Sequence, residues 1–116
     1  MRYLMLIYSD ETKDPKPGTP EWDQFFNDYN DFTTEVKDKG KHLGGEALQG
    51  VSTATTVRVR NGKATTTDGP FAETKEQLGG YYLLDCDNLD EAIEYASKIP
   101  SAKLGSIEIR PLMEFG

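Results

Sequence analysis

The chain has 116 residues, 36% hydrophobic and 28% charged, which suits one domain with a real core and is small enough for a partner subunit to add much of its stability. Thirteen basic against twenty acidic side chains give a formal charge of -7, which excludes nucleic acid or an anionic membrane as the main partner and leaves small molecules and proteins. The single cysteine, Cys86, excludes an intrachain disulfide and a cysteine-framed zinc site and suits a reducing cytoplasm.

The opening RYLMLIY, residues 2–8, is apolar at both alternations, with Tyr3, Met5 and Ile7 to one side and Leu4, Leu6 and Tyr8 to the other. It predicts a strand covered on both faces. The run is too short to span a membrane and lacks a small-residue cleavage site, so it reads as part of a soluble protein. After the polar loop SDETKDPKPG, Thr19 and Pro20 supply an N-cap and a first helical position. Trp22, Phe25, Phe26, Tyr29, Phe32 or Thr33, and Val36 recur at helical spacing up to Gly40, which predicts an amphipathic helix of about five turns.

KHLGGEALQ reads as a weak, glycine-containing second strand. ATTVRVR, NG and KATTTD then give the clearest local signal, because Asn-Gly between β-prone runs favours a two-residue type I′ hairpin. In that register Val57, Val59, Ala64 and Thr66 share one face, and Arg58, Arg60, Lys63 and Thr65 the other. The turn-rich TTTDGPFAETKEQLGG leads into GYYLLDC, a second strand apolar on both faces. In NLDEAIEYASKIP, Asn88 and Glu91 have capping-box spacing, Leu89, Ala92, Ile93 and Ala96 form an apolar stripe, and Pro100 ends the helix. GSIEIRPLM is the final strand. The order βαββαβ with an inserted hairpin predicts a ferredoxin-like α+β fold. Two helices cover one face of such a sheet, so the other face is expected to pack on an identical chain.

The string ATTVRVRNGKATTTDGPFAETKEQLGGYYLLD, followed by NLDEAIEYASKIP and IEIRP, closely resembles the YCII-related family, in the subgroup named for its Asp-Gly-Pro-Phe motif. The resemblance runs from the first strand to Arg110. It implies a dimeric α+β barrel, in a superfamily that includes small-molecule isomerases, lyases and monooxygenases, and an association with extracytoplasmic-function sigma factors. It also assigns to Asp68 the acid of a His–Asp pair. The second-strand segment LGGEAL resembles the subgroup, and the sole histidine, His42, stands just before it.

Asp68 has two readings. At a strand end beside Gly69 it can act as acid or base toward a cleft, or its carboxylate can accept backbone N–H groups in an Asx-turn. Phe71 reads as a core anchor or as one wall of an apolar pocket. Glu73 and Lys75 belong to a charge run that is either solvated or brackets a polar ligand. Gly79 and Gly80 mark a bulge or a close backbone approach. His42 can serve as a base near neutral pH or be merely hydrogen-bonded at the surface. Glu46 and Arg110 are expected to project into the barrel interior, either paired with each other's kind of charge or orienting an anionic or carbonyl substrate. The basic face of the hairpin either protects an exposed edge or attracts an acidic partner.

No phosphate-binding glycine loop, dinucleotide fingerprint or two-His metal motif is present, so neither a cofactor nor a metal is expected. The function expected is that of a small cofactor-independent enzyme using acid/base chemistry on a compact polar or aromatic molecule. Asp68 and His42 are its catalytic candidates, and Tyr8, Glu46, Phe71, Glu73, Lys75 and Arg110 its substrate contacts. The alternative is a noncatalytic ligand- or protein-binding module linked to sigma-factor regulation. A cytoplasmic homodimer is expected in both. The loop after the hairpin is expected to line the mouth of a cleft, with Phe71 directed inward.

Overall fold

Alternation along the first strand sets the architecture. In β1 (Arg2–Ser9) Tyr3, Met5, Ile7 and Ser9 are buried, while Leu4, Leu6 and Tyr8 between them are half-exposed. In this computed structural model, which describes residues 1–115, the chain continues through α1 (Pro20–Asp38), β2 (His42–Ala47), β3 (Thr55–Arg60), β4 (Lys63–Asp68), β5 (Gln77–Asp85), α2 (Leu89–Lys98) and β6 (Ser106–Pro111). Single 3-10 turns lie at Val51–Thr53 and Pro100–Lys103.

The helix boundaries follow local chemistry. Thr19 caps α1 by accepting a hydrogen bond from the Trp22 amide at 3.2 Å, and Pro20 follows as the first helical residue. Gly40, at φ +71°, takes the chain out of the helix. Asn88 caps α2 through the Glu91 amide at 2.9 Å, and the Glu91 carboxylate accepts from the Asp87 amide at 3.0 Å, one residue earlier than a strict capping box.

Four strands form one antiparallel sheet in the order β2-β5-β1-β6. The buried residues of β1 meet Tyr82 and Leu84 of β5, Phe32 and Val36 of α1, and Ala92, Tyr95 and Ala96 of α2 in a single core, with Ile107 and Ile109 of β6 packed at its side. Cys86 is buried in the same core, and burial pushes its thiol pKa up, opposite to what a reactive thiolate requires. The opposite face carries Leu4, Leu6 and Tyr8, with Tyr81 and Leu83 of β5 facing Leu6 and Leu4 in register. Neither helix covers it.

The expectation of a dimeric α+β barrel is corrected here. The four-stranded sheet stays open, with β2 and β6 as free edges. Closing a barrel requires tilted strands with a fixed stagger and no free edge. The predicted hairpin forms, with Asn61 and Gly62 both at positive φ, but β3 and β4 pair only with each other as a separate two-stranded sheet. The fold is α+β with a four-stranded antiparallel sheet. With no barrel interior, Arg110 lies exposed, opposite Leu4 in register, and Glu46 is exposed as well.

A second difference concerns the two glycines. β5 starts at Gln77, so Gly79 and Gly80 sit within the strand instead of opening it. Both readings made of them apply: the β1–β5 register shifts between Ile7 and Tyr8, and a Cβ on Gly80 would stand 2.8 Å from the Glu46 carbonyl oxygen.

Burial therefore separates the sheet from the hairpin energetically. In urea denaturation, Leu84→Ala is expected to lower stability by roughly 2–5 kcal/mol through the cavity it opens, and Gly80→Ala by roughly 1–3 kcal/mol through backbone displacement. Val57→Ala on the exposed hairpin is expected to stay within about 0.5 kcal/mol.

Candidate functional site in the cleft between α1 and the sheet

α1 is 19 residues long, yet only Phe32 and Val36 toward its C-terminal end are buried. Its first half stands over the β2–β5 side of the sheet, where Gly44, Gly45, Gly79 and Gly80 supply no side chains. Between them is a cleft of about 690 Å³, within the ordinary range for small-molecule sites. One wall is aromatic, formed by Trp22, Phe25, Phe26 and Tyr29 of α1, with Tyr82 of β5 deeper in. Phe25 meets Tyr29 edge-on at 5.2 Å between ring centroids, and Tyr29 stacks parallel to Tyr82 at 6.5 Å.

Five hydroxyls and a carboxylate in the cleft are paired with one another. The Tyr82 and Thr33 hydroxyls are 2.6 Å apart, as are those of Tyr29 and Ser101. Ser9 donates to the Asp14 carboxylate at 2.8 Å. Burial raises the phenol pKa of both Tyr29 and Tyr82, and each hydroxyl partner offsets part of that rise. Both therefore remain neutral donors across the physiological range. His42, half-buried at the start of β2, presents its ring edge-on to Tyr82 with centroids 6.1 Å apart. A bulge between His42 and Gly44 sets its position against β5.

Of the sequence candidates, the cleft brings together His42 and Glu46. Asp68 is exposed at the end of β4, opposite Thr55. Tyr8 and Arg110 are on the sheet face away from the helices. Glu73 and Lys75 are exposed in the segment after the hairpin. Phe71 is 78% exposed, so its inward direction is corrected: the Arg58 guanidinium donates to the Phe71 carbonyl and ties this loop to the hairpin, away from the core. Trp22, Phe25, Phe26 and Tyr29, which the sequence places only on the apolar face of an amphipathic helix, line the cleft. The available signal was surplus: α1 carries more aromatic side chains than a single buried stripe requires, and Phe26 is 54% exposed. Among the described residues no three His, Cys, Asp or Glu side chains gather as metal ligands, and no helix is long and apolar enough to cross a membrane.

The full chain, residues 1–116, matches the YCII-related domain family. The chain belongs to that family. The match is to the family as a whole, which corrects the narrower assignment to an Asp-Gly-Pro-Phe subgroup. It is 40% identical over 115 residues to an uncharacterized protein of Rhizobium meliloti (strain 1021), covering 97% of this chain and 92% of that one. Among solved structures it is similar to 5-chloro-2-hydroxyhydroquinone dehydrochlorinase (TftG) from Burkholderia phenoliruptrix AC1100, in complex with 2,5-dihydroxybenzoquinone. The TM-score is 0.56 and the identity 13%, over 99% of this chain and 96% of that chain. At that identity the likeness is one of fold, and it is to a small enzyme.

The tyrosine shifts fix a pH dependence. Tyr29 and Tyr82 hold their protons above the ordinary phenol value of 10.0 in the folded chain, so their share of stability is whole below that pH and is lost as pH rises past it toward the folded values. Chemical denaturation across the alkaline range is expected to record a decline beginning near pH 10, and Tyr82→Phe is expected to make that decline shallower.

Proposed function

We propose that this protein is a small cofactor-independent enzyme that uses acid/base chemistry on a compact polar or aromatic molecule held in the α1–β2 cleft. One observation carries the reading: the sole histidine stands half-buried in a cleft with an aromatic wall on one side and neutral tyrosine hydroxyls within the lining. The aromatic wall excludes water from one face of a flat substrate and fixes its plane. His42 takes a proton from a hydroxyl or from a carbon next to a carbonyl. Negative charge then grows on the substrate oxygen. The Tyr82–Thr33 and Tyr29–Ser101 hydroxyl pairs can turn a donor toward it without first losing their protons.

The solved structure of like fold is a dehydrochlorinase in complex with 2,5-dihydroxybenzoquinone, a single ring bearing four oxygens. That is the class of molecule that an aromatic wall with hydroxyl donors suits. Asp68 remains the second acid/base candidate in this proposal, carried on the hairpin. Glu46 offers a substrate contact at the cleft rim, and Tyr8, Phe71, Glu73, Lys75 and Arg110 offer contacts on surfaces outside it. The enzyme is proposed to act as a homodimer, because Leu4, Leu6, Tyr8, Tyr81 and Leu83 form an apolar sheet face that neither helix covers.

Trp22 is the only tryptophan and lines the cleft, so its fluorescence reports occupancy directly. Titration with 2,5-dihydroxybenzoquinone is expected to quench it saturably. For any one-ring hydroxylated compound that is turned over, His42→Gln is expected to lower kcat by roughly 10²–10⁴ while stability is kept. Absence of quenching by a panel of such compounds, or turnover indifferent to His42, would sink the proposal.

The second reading is a noncatalytic module associated with a sigma factor. Its support is the hairpin, where Arg58, Arg60 and Lys63 form an exposed basic face on an acidic protein. Arg58→Glu with Arg60→Glu is expected to leave the fold intact by circular dichroism. If the same double change abolishes binding to a sigma factor while turnover is absent throughout, the module reading replaces the enzyme.

A further inference from the structure

The β3–β4 hairpin has no core of its own. Val57 is 62% and Val59 58% exposed, side by side on one face with Ala64 and Thr66 opposite them in register. No residue from Thr55 to Glu76 is buried. A two-stranded hairpin alone in water is marginal, and this one is held at its base through Glu11, which accepts from the Val51 amide at 3.1 Å. Its own hydrogen bonds run within the segment: Gly69 amide to Ala54 carbonyl at 2.7 Å, and Thr56 hydroxyl to Gly69 carbonyl at 2.9 Å. The result is a projection. The radius of gyration is 16.1 Å, where a compact chain of this length would have about 13 Å.

We propose that Thr55–Glu76 is an arm that docks on a second copy of this chain, laid along α1 of that copy at the rim of its cleft. The inference rests on the homodimer reading above and adds a second contact, the arm, to the apolar sheet face of Leu4, Leu6, Tyr8, Tyr81 and Leu83. Three observations select a second copy. The arm gathers Arg58, Arg60 and Lys63 on its hairpin with Asp68 at the end, followed by Glu73, Lys75 and Glu76 in the loop, so its basic groups cluster on the hairpin, while α1 carries six acids, Glu21, Asp23, Asp28, Asp31, Glu35 and Asp38, against the single Lys37. The chain thus holds both halves of a complementary charge pair, and opposite potentials steer and orient association. The arm spans about 20 residues, the size of one side of a standard interface. The apolar groups also match: Val57, Val59 and Phe71 on the arm need cover, and Phe26 on α1 is exposed where the arm would lie. The same docking would bring Asp68 of one copy toward the cleft that holds His42 of the other.

The test uses the full-length chain. Sedimentation across micromolar concentrations is expected to give a dimer that weakens with added salt. Val57→Asp with Val59→Asp, both at exposed positions, is expected to keep the circular dichroism spectrum and weaken association by roughly tenfold or more. Loss of the dimer is expected to shift Trp22 emission to longer wavelength as the cleft rim opens to water. A wild-type chain that stays monomeric overturns both the homodimer reading and the arm. A wild-type dimer that the double aspartate variant leaves intact overturns the arm and spares the homodimer. Dissociation without any change in Trp22 emission overturns the placement on α1.

Discussion

Burial of one face of β1 is the constraint from which the remaining structure follows. Tyr3, Met5 and Ile7 alternate with Leu4, Leu6 and Tyr8, so a centrally placed strand asks for apolar cover on two sides. The two helices lie on one side only. Met5, Val36, Leu84, Ala92 and Ile99 are fully enclosed there, and this helix-covered half holds the protein together. The other half of β1 is left with neighbours in its own sheet and no layer above it. A chain whose best-formed strand is satisfied on one face is stable enough to fold and still carries a reason to associate.

The cleft arises from the same packing through glycine. Where α1 passes over β2 and β5, the sheet offers Gly44, Gly45, Gly79 and Gly80, and the space that larger side chains would fill stays open. At two of these positions the backbone itself demands glycine: a Cβ on Gly45 would come within 2.8 Å of the Tyr81 carbonyl oxygen, and one on Gly80 as close to that of Glu46. Close strand approach and an open cleft are thus two consequences of one sequence feature. Aromatic residues on α1 that would be core elsewhere become walls because the sheet beneath them has nothing to interlock with.

Local chemistry was the legible part of the sequence. The Thr19 and Asn88 caps, the Asn61-Gly62 turn and the two-sided alternation of β1 all depend on neighbours within a few residues, and the structure places each where those neighbours require. The open sheet was not legible, because the doubly apolar strands say that a face needs cover without saying what provides it. The cleft escaped for a related reason. Helical spacing of Trp22, Phe25, Phe26 and Tyr29 states which residues share a face, but whether that face meets side chains or glycines is decided by strands distant in sequence. Phe71 failed through its loop: Gly69 and Pro70 imply a turn, and the Arg58 contact that carries the turn away from the core is tertiary.

The separation of Asp68 from His42 is the feature that links these constraints to function. Within one chain the two acid/base candidates occupy different bodies, His42 against Tyr82 in the cleft and Asp68 on a hairpin whose strands pair only with each other. Proton transfer needs its groups within hydrogen-bond reach of the same substrate. In the proposed reaction either His42 works with the neutral tyrosines alone, in which case burial of Tyr29 and Tyr82 keeps their donors in place, or the acid arrives from outside. An arm with exposed valines and an acidic helix on the same chain provides a physical route for that arrival, and it would make catalysis depend on protein concentration in a way that a self-contained cleft does not.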